Sequence, residues 1–194
     1  MKLALTTAAA IAAFAMPAVS QEATVWNFDP SHSQIVFTYN HLGFSTTTGM
    51  FSGFDGTINL DEAAPENSSV EVSFPVRSMI TGWDDRFGHF MSDDFFGAAD
   101  GSDEMVSFTS TSVEVTGDNT AKITGDLTLN GVTKEIVLDT VMNQMGDHPS
   151  AGKPWIGFNA ETTLMRSDYE LGMFGPAVSD EVEVEISVEA TKAE

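Results

Sequence analysis

The histidines and one serine are the residues of this chain whose types first suggest catalysis or metal binding. The histidines are His32, His41, His89 and His148. They show neither the H-E-x-x-H spacing nor the Cys-His patterns that hold zinc. Ser52 comes one position too late after Gly49 for the G-x-S-x-G motif of nucleophilic hydrolases. The sequence therefore predicts no catalytic residues and no metal site.

Acidic residues are abundant but form no evident acid–base pair. The chain has 29 Asp and Glu against 8 Lys and Arg, and its formal charge is −21. A field of this sign repels nucleic acid and anionic membrane surfaces. We therefore expect no nucleic-acid partner and no stable membrane insertion. Cysteine is absent, which excludes thiol chemistry and disulfides.

Residues 1–20 have the pattern of a secretory signal peptide. Lys2 precedes an apolar stretch that ends at Met16, and small residues follow as far as Ser20. The stretch is shorter than the roughly 20 residues that span a bilayer. We expect cleavage after Ser20, a periplasmic location, and a mature domain over residues 21–194 with a charge of −22 once Lys2 is removed.

Alternation of apolar and polar residues from Thr24 onward predicts an all-β fold. The last alternating segment places Val182, Val184, Ile186 and Val188 on one face and glutamates on the other. Such a strand suits one wall of a barrel or sandwich. Two turn sequences, Gly117-Asp118-Asn119 and Asn130-Gly131, predict β-hairpins because Asn and Gly accept the positive φ of tight turns.

One segment interrupts the β pattern. Trp83, Phe87 and Phe90 recur at i, i+4 and i+7, which predicts a short amphipathic helix. Its aromatic stripe would cover one end of the barrel, so we expect residues 83–96 to form a lid or plug. The 14 Phe and 10 Met of the chain suit an adaptable apolar cavity. Composition alone, however, favours a packed core.

Several motifs resemble those of the YceI family. The segment Asp29-Pro30-Ser31-His32-Ser33 resembles the start of its D-x-x-H-S-x-[IV]-x-F motif, and Gly125 to Lys134 resembles G-x-L-T-[IL]-x-G-V-T-K. Arg166-Ser167-Asp168-Tyr169 resembles R-x-D-[FY]. The matches keep the family's order from Trp26 to about Ala190. In the predicted helix, Arg86 and His89 lie one residue farther apart than in the family's R-D-x-H-L.

The resemblance implies an extended, antiparallel, eight-stranded lipocalin-like barrel with one short helix near a barrel end. It also implies a periplasmic carrier that encloses a polyisoprenoid, an isoprenoid quinone or a fatty-acid amide, commonly as a homodimer and without a catalytic cofactor. The alternative is a hydrolytic or modifying enzyme that acts on such a lipid, with Tyr39, His41 or Arg166 near the head group. Because basic residues are few and scattered, we expect a neutral or at most weakly anionic head group.

The residues expected to line the cavity are those of the inward strand faces, the predicted helix and the R-x-D-[FY] motif. They are Ile35, Phe37, Tyr39, His41, Phe54, Trp83, Phe87, Phe90, Phe96, Phe108, Leu127 and Arg166.

Overall fold

The computed structural model describes residues 23–194, so the predicted signal peptide lies outside the described residues. The strands are β1 (Thr24–Phe28), β2 (Gln34–His41), β3 (Ser45–Phe51), β4 (Asp55–Leu60), β5 (Ser69–Pro75), β6 (Met105–Gly117), β7 (Thr120–Leu129), β8 (Val132–Asp147), β9 (Pro154–Met165) and β10 (Glu181–Lys192). One α-helix, α1, spans Asp84–Phe90, and short 3-10 helices span Pro65–Asn67, Val76–Ser78 and Arg166–Tyr169.

The strands form a closed antiparallel barrel. Eight of them make a ring in the order β1-β4-β5-β6-β7-β8-β9-β10, which closes because β10 pairs with β1. The first half of β10 pairs instead with β2, which in turn pairs with β3, so these two strands extend the wall beyond β1 and β4. The predicted eight-stranded antiparallel barrel with one short helix is thus confirmed.

Local sequence explains the hairpins and the curvature. Asn119, Asn130 and Gly131 have φ values of 62°, 51° and 71°, and the last two form the complete turn between β7 and β8. In this second turn, positive φ at both positions matches the right-handed twist of the flanking strands. Both predicted hairpins are confirmed, because β6 pairs with β7 and β7 pairs with β8. Register shifts in β6 and β8 mark bulges, which bend these long strands around the barrel.

Two apolar clusters occupy different ends of the barrel. The larger cluster contains Phe51, Phe74 and Val76 and joins the strands to the α1 region. The smaller cluster packs Trp26 against Ile156 and other residues near the opposite end. We call the end of the barrel that holds the larger cluster the helix end, and the end that holds the smaller cluster the far end. Within residues 23–194, no helix has the length and apolar character needed to cross a membrane.

Candidate ligand-binding cavity

A long cavity follows the inside of the barrel. Its volume is about 910 Å³, near the upper limit of the ~300–1,000 Å³ typical of small-molecule sites. Alternation along the strands supplies the wall, because every second side chain points inward. Apolar groups such as Ile123, Leu138, Phe158 and Ile186 are part of this lining. The interior is therefore shaped for an elongated apolar molecule.

Two glycines allow large aromatic rings to lie against the wall. A Cβ added to Gly49 would lie 2.2 Å from Cζ of Phe37, its cross-strand partner. A Cβ on Gly125 would lie 2.4 Å from Cζ of Phe108. Both rings line the cavity and cover backbone that no side chain occupies. Because the two glycines have no side chains, the rings of Phe37 and Phe108 can lie close to the backbone of the wall. The lumen between these rings therefore stays open.

The structure brings together all but one of the residues predicted to line the cavity. Ile35, Phe37, Tyr39 and His41 lie on the inward face of β2, and Phe108 and Leu127 lie on β6 and β7. The others on the wall are Phe54, Trp83, Phe90, Phe96 and Arg166. Contact of these side chains with a ligand stays a prediction.

Phe87 corrects the expectation, because its side chain is not part of the cavity wall. It packs against the larger apolar cluster, and the Arg77 guanidinium lies over its ring at 5.3 Å from the centroid. The helix begins at Asp84, and Trp83 precedes it in an extended conformation, so Trp83 is not part of the predicted helical face. The sequence also missed the inward residues of β10, from Val182 to Val188, although their strict alternation was a sufficient signal.

The α1 region covers the helix end of the cavity through aromatic contacts. The rings of Phe90 and Tyr39 meet edge to face with centroids 6.3 Å apart. On its other side, α1 contacts the 171–180 loop, since the His89 and Phe174 rings are 5.9 Å apart. Trp83 is 57% exposed and also lines the cavity, so the apolar lining continues to the surface. This position suits the predicted lid.

Arg166 supports the 171–180 loop through backbone carbonyls. Its Nε donates to the Ser179 oxygen at 2.8 Å, and its Nη atoms donate to the oxygens of Leu171, Met173 and Val178. Burial lowers the pKa of this guanidinium. The expectation that Arg166 binds the head group therefore weakens, because these four carbonyls already occupy most of its five N–H donors.

One hydrogen-bonded cluster lies on the outside of the barrel. Nδ1 of His32 is 2.6 Å from Oδ2 of Asp29 and 3.0 Å from the Ser31 hydroxyl. Hydrolytic triads use both imidazole nitrogens, one for the acid and one for the serine, whereas here both partners meet the same nitrogen. Ligand atoms of Asp29, His32 and Glu189 lie within 4.8 Å of one another, so these three could also hold a metal ion.

The hydrogen bonds of this cluster shift both pKa values. Burial alone would raise the pKa of Asp29, but hydrogen bonds from His32 and Ser31 outweigh it and hold that pKa below its usual value. The same bond to Asp29 raises the pKa of His32. Opposite shifts of this kind describe a stabilised ion pair at the kink between β1 and β2.

Comparison with known proteins identifies relatives over most of the chain. The family model described as YceI-like domain matches residues 26–190. A UPF0312 protein of Pseudomonas putida is 40% identical over 162 residues, which cover 83% of this chain and 82% of the relative. A similar UPF0312 protein of Pseudomonas fluorescens is 38% identical over the same length.

Solved structures share the fold. The YCEI protein of Campylobacter jejuni superimposes with a TM-score of 0.70 at 31% identity, covering 80% of this chain and 90% of that one. A polyisoprenoid binding domain from Saccharophagus degradans gives a TM-score of 0.65 at 17% identity, covering 89% of this chain and all of the domain. At that identity the second likeness is one of fold alone.

Proposed function

The chain belongs to the YceI-like domain family, and from this membership and its cavity we propose that it binds and carries one long-chain amphiphile. The observation that carries the proposal is the continuous apolar lining of a cavity of about 910 Å³. Burying an apolar chain in such a space contributes about 25 cal/mol per Å² removed from water. The ligand class we propose is an isoprenoid lipid, an isoprenoid quinone or a fatty-acid amide.

The polar groups favour a neutral or weakly anionic head group at the helix end. The cavity lining includes two basic residues, Arg86 and Arg166. Arg166 is engaged by the 171–180 loop, and Arg86 donates to the Thr81 carbonyl at 3.0 Å. A diphosphate needs several free cationic donors together. Tyr39 and His41 line the same end and suit a carbonyl or amide.

Carriage is better supported than catalysis on a lipid. An enzyme acting on such a lipid would have Tyr39, His41 or Arg166 near the head group. The hydrogen bonds of Arg166 to the 171–180 loop leave its guanidinium little freedom to bind a reacting group. The Ser31–His32–Asp29 cluster lies outside the barrel and shares a single imidazole nitrogen. We propose a periplasmic location from the signal-peptide pattern, and the homodimer expected from the family stays a prediction that light scattering would test.

Organic extraction of the purified chain followed by mass spectrometry tests the proposal. We expect an intact lipid in stoichiometric amount. Phe108→Lys places a charge in the lumen and should abolish retention, whereas Thr109→Lys alters the exposed neighbour on the opposite face, between Glu71 and Asp126, and should preserve it. Equal retention by both variants, or an empty barrel that hydrolyses a lipid ester, would contradict carriage.

A further inference from the structure

The cavity reaches the surface at the far end of the barrel as well as at the helix end. Its lining includes inward residues near the far ends of β6, β7 and β8, which are Val113, Val115, Ala121, Met142 and Met145. We call these five residues the far-end trough. Val115 is 48% exposed and Met145 is 39% exposed, although both belong to the cavity wall. Side chains that line the lumen and also contact solvent mark a place where the cavity opens.

The opening occupies one side of the far end, because the other side is filled. The filling residues come from β1, β4, β9 and β10, which are consecutive in the ring, and they are Trp26, Ile58, Ile156 and Ala190. Ile156 and Ala190 lie two positions before Phe158 and after Val188, which line the cavity, so they also point inward. The trough lies on the opposite arc, where the apolar lining continues outward.

The connection between β4 and β5 lies beside the trough. Its residues Glu62 and Pro65 line the cavity, and its 3-10 helix contacts β6. The Asp61 carboxylate accepts hydrogen bonds from the backbone N–H groups of Ala63 and Ala64 at 3.0 and 2.9 Å. This connection is therefore an ordered turn that forms part of the rim of the opening.

The lumen is shorter than the longest isoprenoid chains. Ala121 and Leu129 line it at the two ends of β7 and are eight positions apart. Eight steps along a strand cover about 27 Å, and a strand tilt of about 40° reduces this to roughly 20 Å along the barrel axis. An extended tail of ten isoprene units is longer than this, so it fits only if part of the tail leaves the barrel.

We propose that the far-end trough is a subsite for the tail of the bound lipid. The polar group stays at the helix end, and the tail leaves the lumen along Val115 and Met145. This inference rests on the proposed lipid-binding function and adds the ligand class, an isoprenoid chain longer than the barrel. Single exposed apolar side chains are normal on a protein surface, but these two continue an apolar cavity. A tail that covers them removes their area from water, which favours binding.

Two valines at the far end provide a matched pair of variants. Val115 lines the cavity, whereas Val141 is 43% exposed, lies opposite Thr120 on the neighbouring strand, and is not part of the cavity wall. Val115→Asp and Val141→Asp therefore place the same charge inside and outside the path of the tail. Val115→Ser and Val141→Ser form a second pair that adds polarity without charge. Thermal midpoints verify that each variant is folded.

The probes are two ubiquinones that share one head group and carry a two-unit or a ten-unit isoprenoid tail. Displacement of a fluorescent lipid probe measures their affinities. We expect the unaltered protein to bind the ten-unit probe at least as tightly as the two-unit probe. Val115→Asp should weaken the ten-unit probe about tenfold, because an apolar tail cannot cover a carboxylate without removing its water, and should leave the two-unit probe nearly unchanged.

Val141→Asp should change neither affinity, and the serine pair should show the same selectivity more weakly. Equal weakening of both probes by Val115→Asp would overturn the proposal, because the effect would not depend on the part of the tail beyond the lumen. Binding of the two-unit probe alone by the unaltered protein would also overturn it, while leaving the lipid-binding function intact. If the unaltered protein bound neither probe, the lipid-binding function itself would fail, and this inference with it.

Discussion

Gly49→Ala should reduce ligand affinity without unfolding the barrel. The added methyl would lie 2.2 Å from Cζ and 2.6 Å from Cε1 of Phe37, so the ring has to leave the wall. The wall itself is backbone, and the free direction is the lumen. In the empty barrel the ring enters open space, and the stability loss is small. In the filled barrel the ring and the ligand compete for the same volume.

The magnitude follows from overpacking. Forcing extra groups into filled space costs about 1–3 kcal/mol, which corresponds to a roughly 5- to 150-fold weaker Kd. The assay is displacement of a fluorescent lipid probe, together with thermal unfolding of the empty protein. Gly146→Ala is the matched control, since a Cβ there meets no atom within 4 Å.

A second variant tests the cause. Phe37→Leu in the Gly49→Ala background removes the displaced ring and should recover part of the lost affinity, a coupling that a double-mutant cycle measures. Wild-type affinity in Gly49→Ala would refute the reasoning, because the Phe37 ring would then not be held between this glycine and the ligand.

Three further outcomes are expected. Arg166→Lys should lower the free energy of unfolding by about 2–4 kcal/mol, because one ammonium group cannot donate to the four carbonyls that the guanidinium binds. Denaturant titration measures the change, and an unchanged unfolding midpoint would exclude a role of Arg166 in supporting the loop. In the cluster outside the barrel, the contribution of His32 to the free energy of unfolding should be complete below its unfolded pKa of 6.5 and lost as pH rises through its higher folded pKa. The contribution of Asp29, whose folded pKa is lowered, should be lost as pH falls below 3.8. The melting temperature of His32→Gln should therefore approach that of the unaltered protein as pH rises through the folded-state pKa of His32, and a constant difference across the range would contradict the pair. In the double variant His89→Cys and Phe174→Cys, a short thiol crosslinker between the two cysteines should slow lipid exchange if α1 opens as a lid. The same variant without the crosslinker gives the reference rate.

The local pattern was enough to predict the strands, the two hairpins and α1. Alternation fixes which face of a strand is apolar, and Asn130-Gly131 specifies its turn because few other residues adopt positive φ at two successive positions. The inward face of β2 followed from the same period, and the structure places Ile35 and Tyr39 on the cavity wall. These features depend on neighbours in sequence, so the sequence alone determines them.

The open lumen, the position of Phe87 and the partners of Arg166 were decided by the tertiary structure. Composition favoured a packed core. The cross-strand register places the Phe37 ring over Gly49, close to the backbone of the wall, and this explains why the lumen stays open. Arg166 was expected to lie near a head group, yet it binds carbonyls of a loop that begins five residues later and folds back over it. Each of these facts concerns the distance between groups on different strands or loops, and such distances are set by barrel closure rather than by the residue pattern of any one segment.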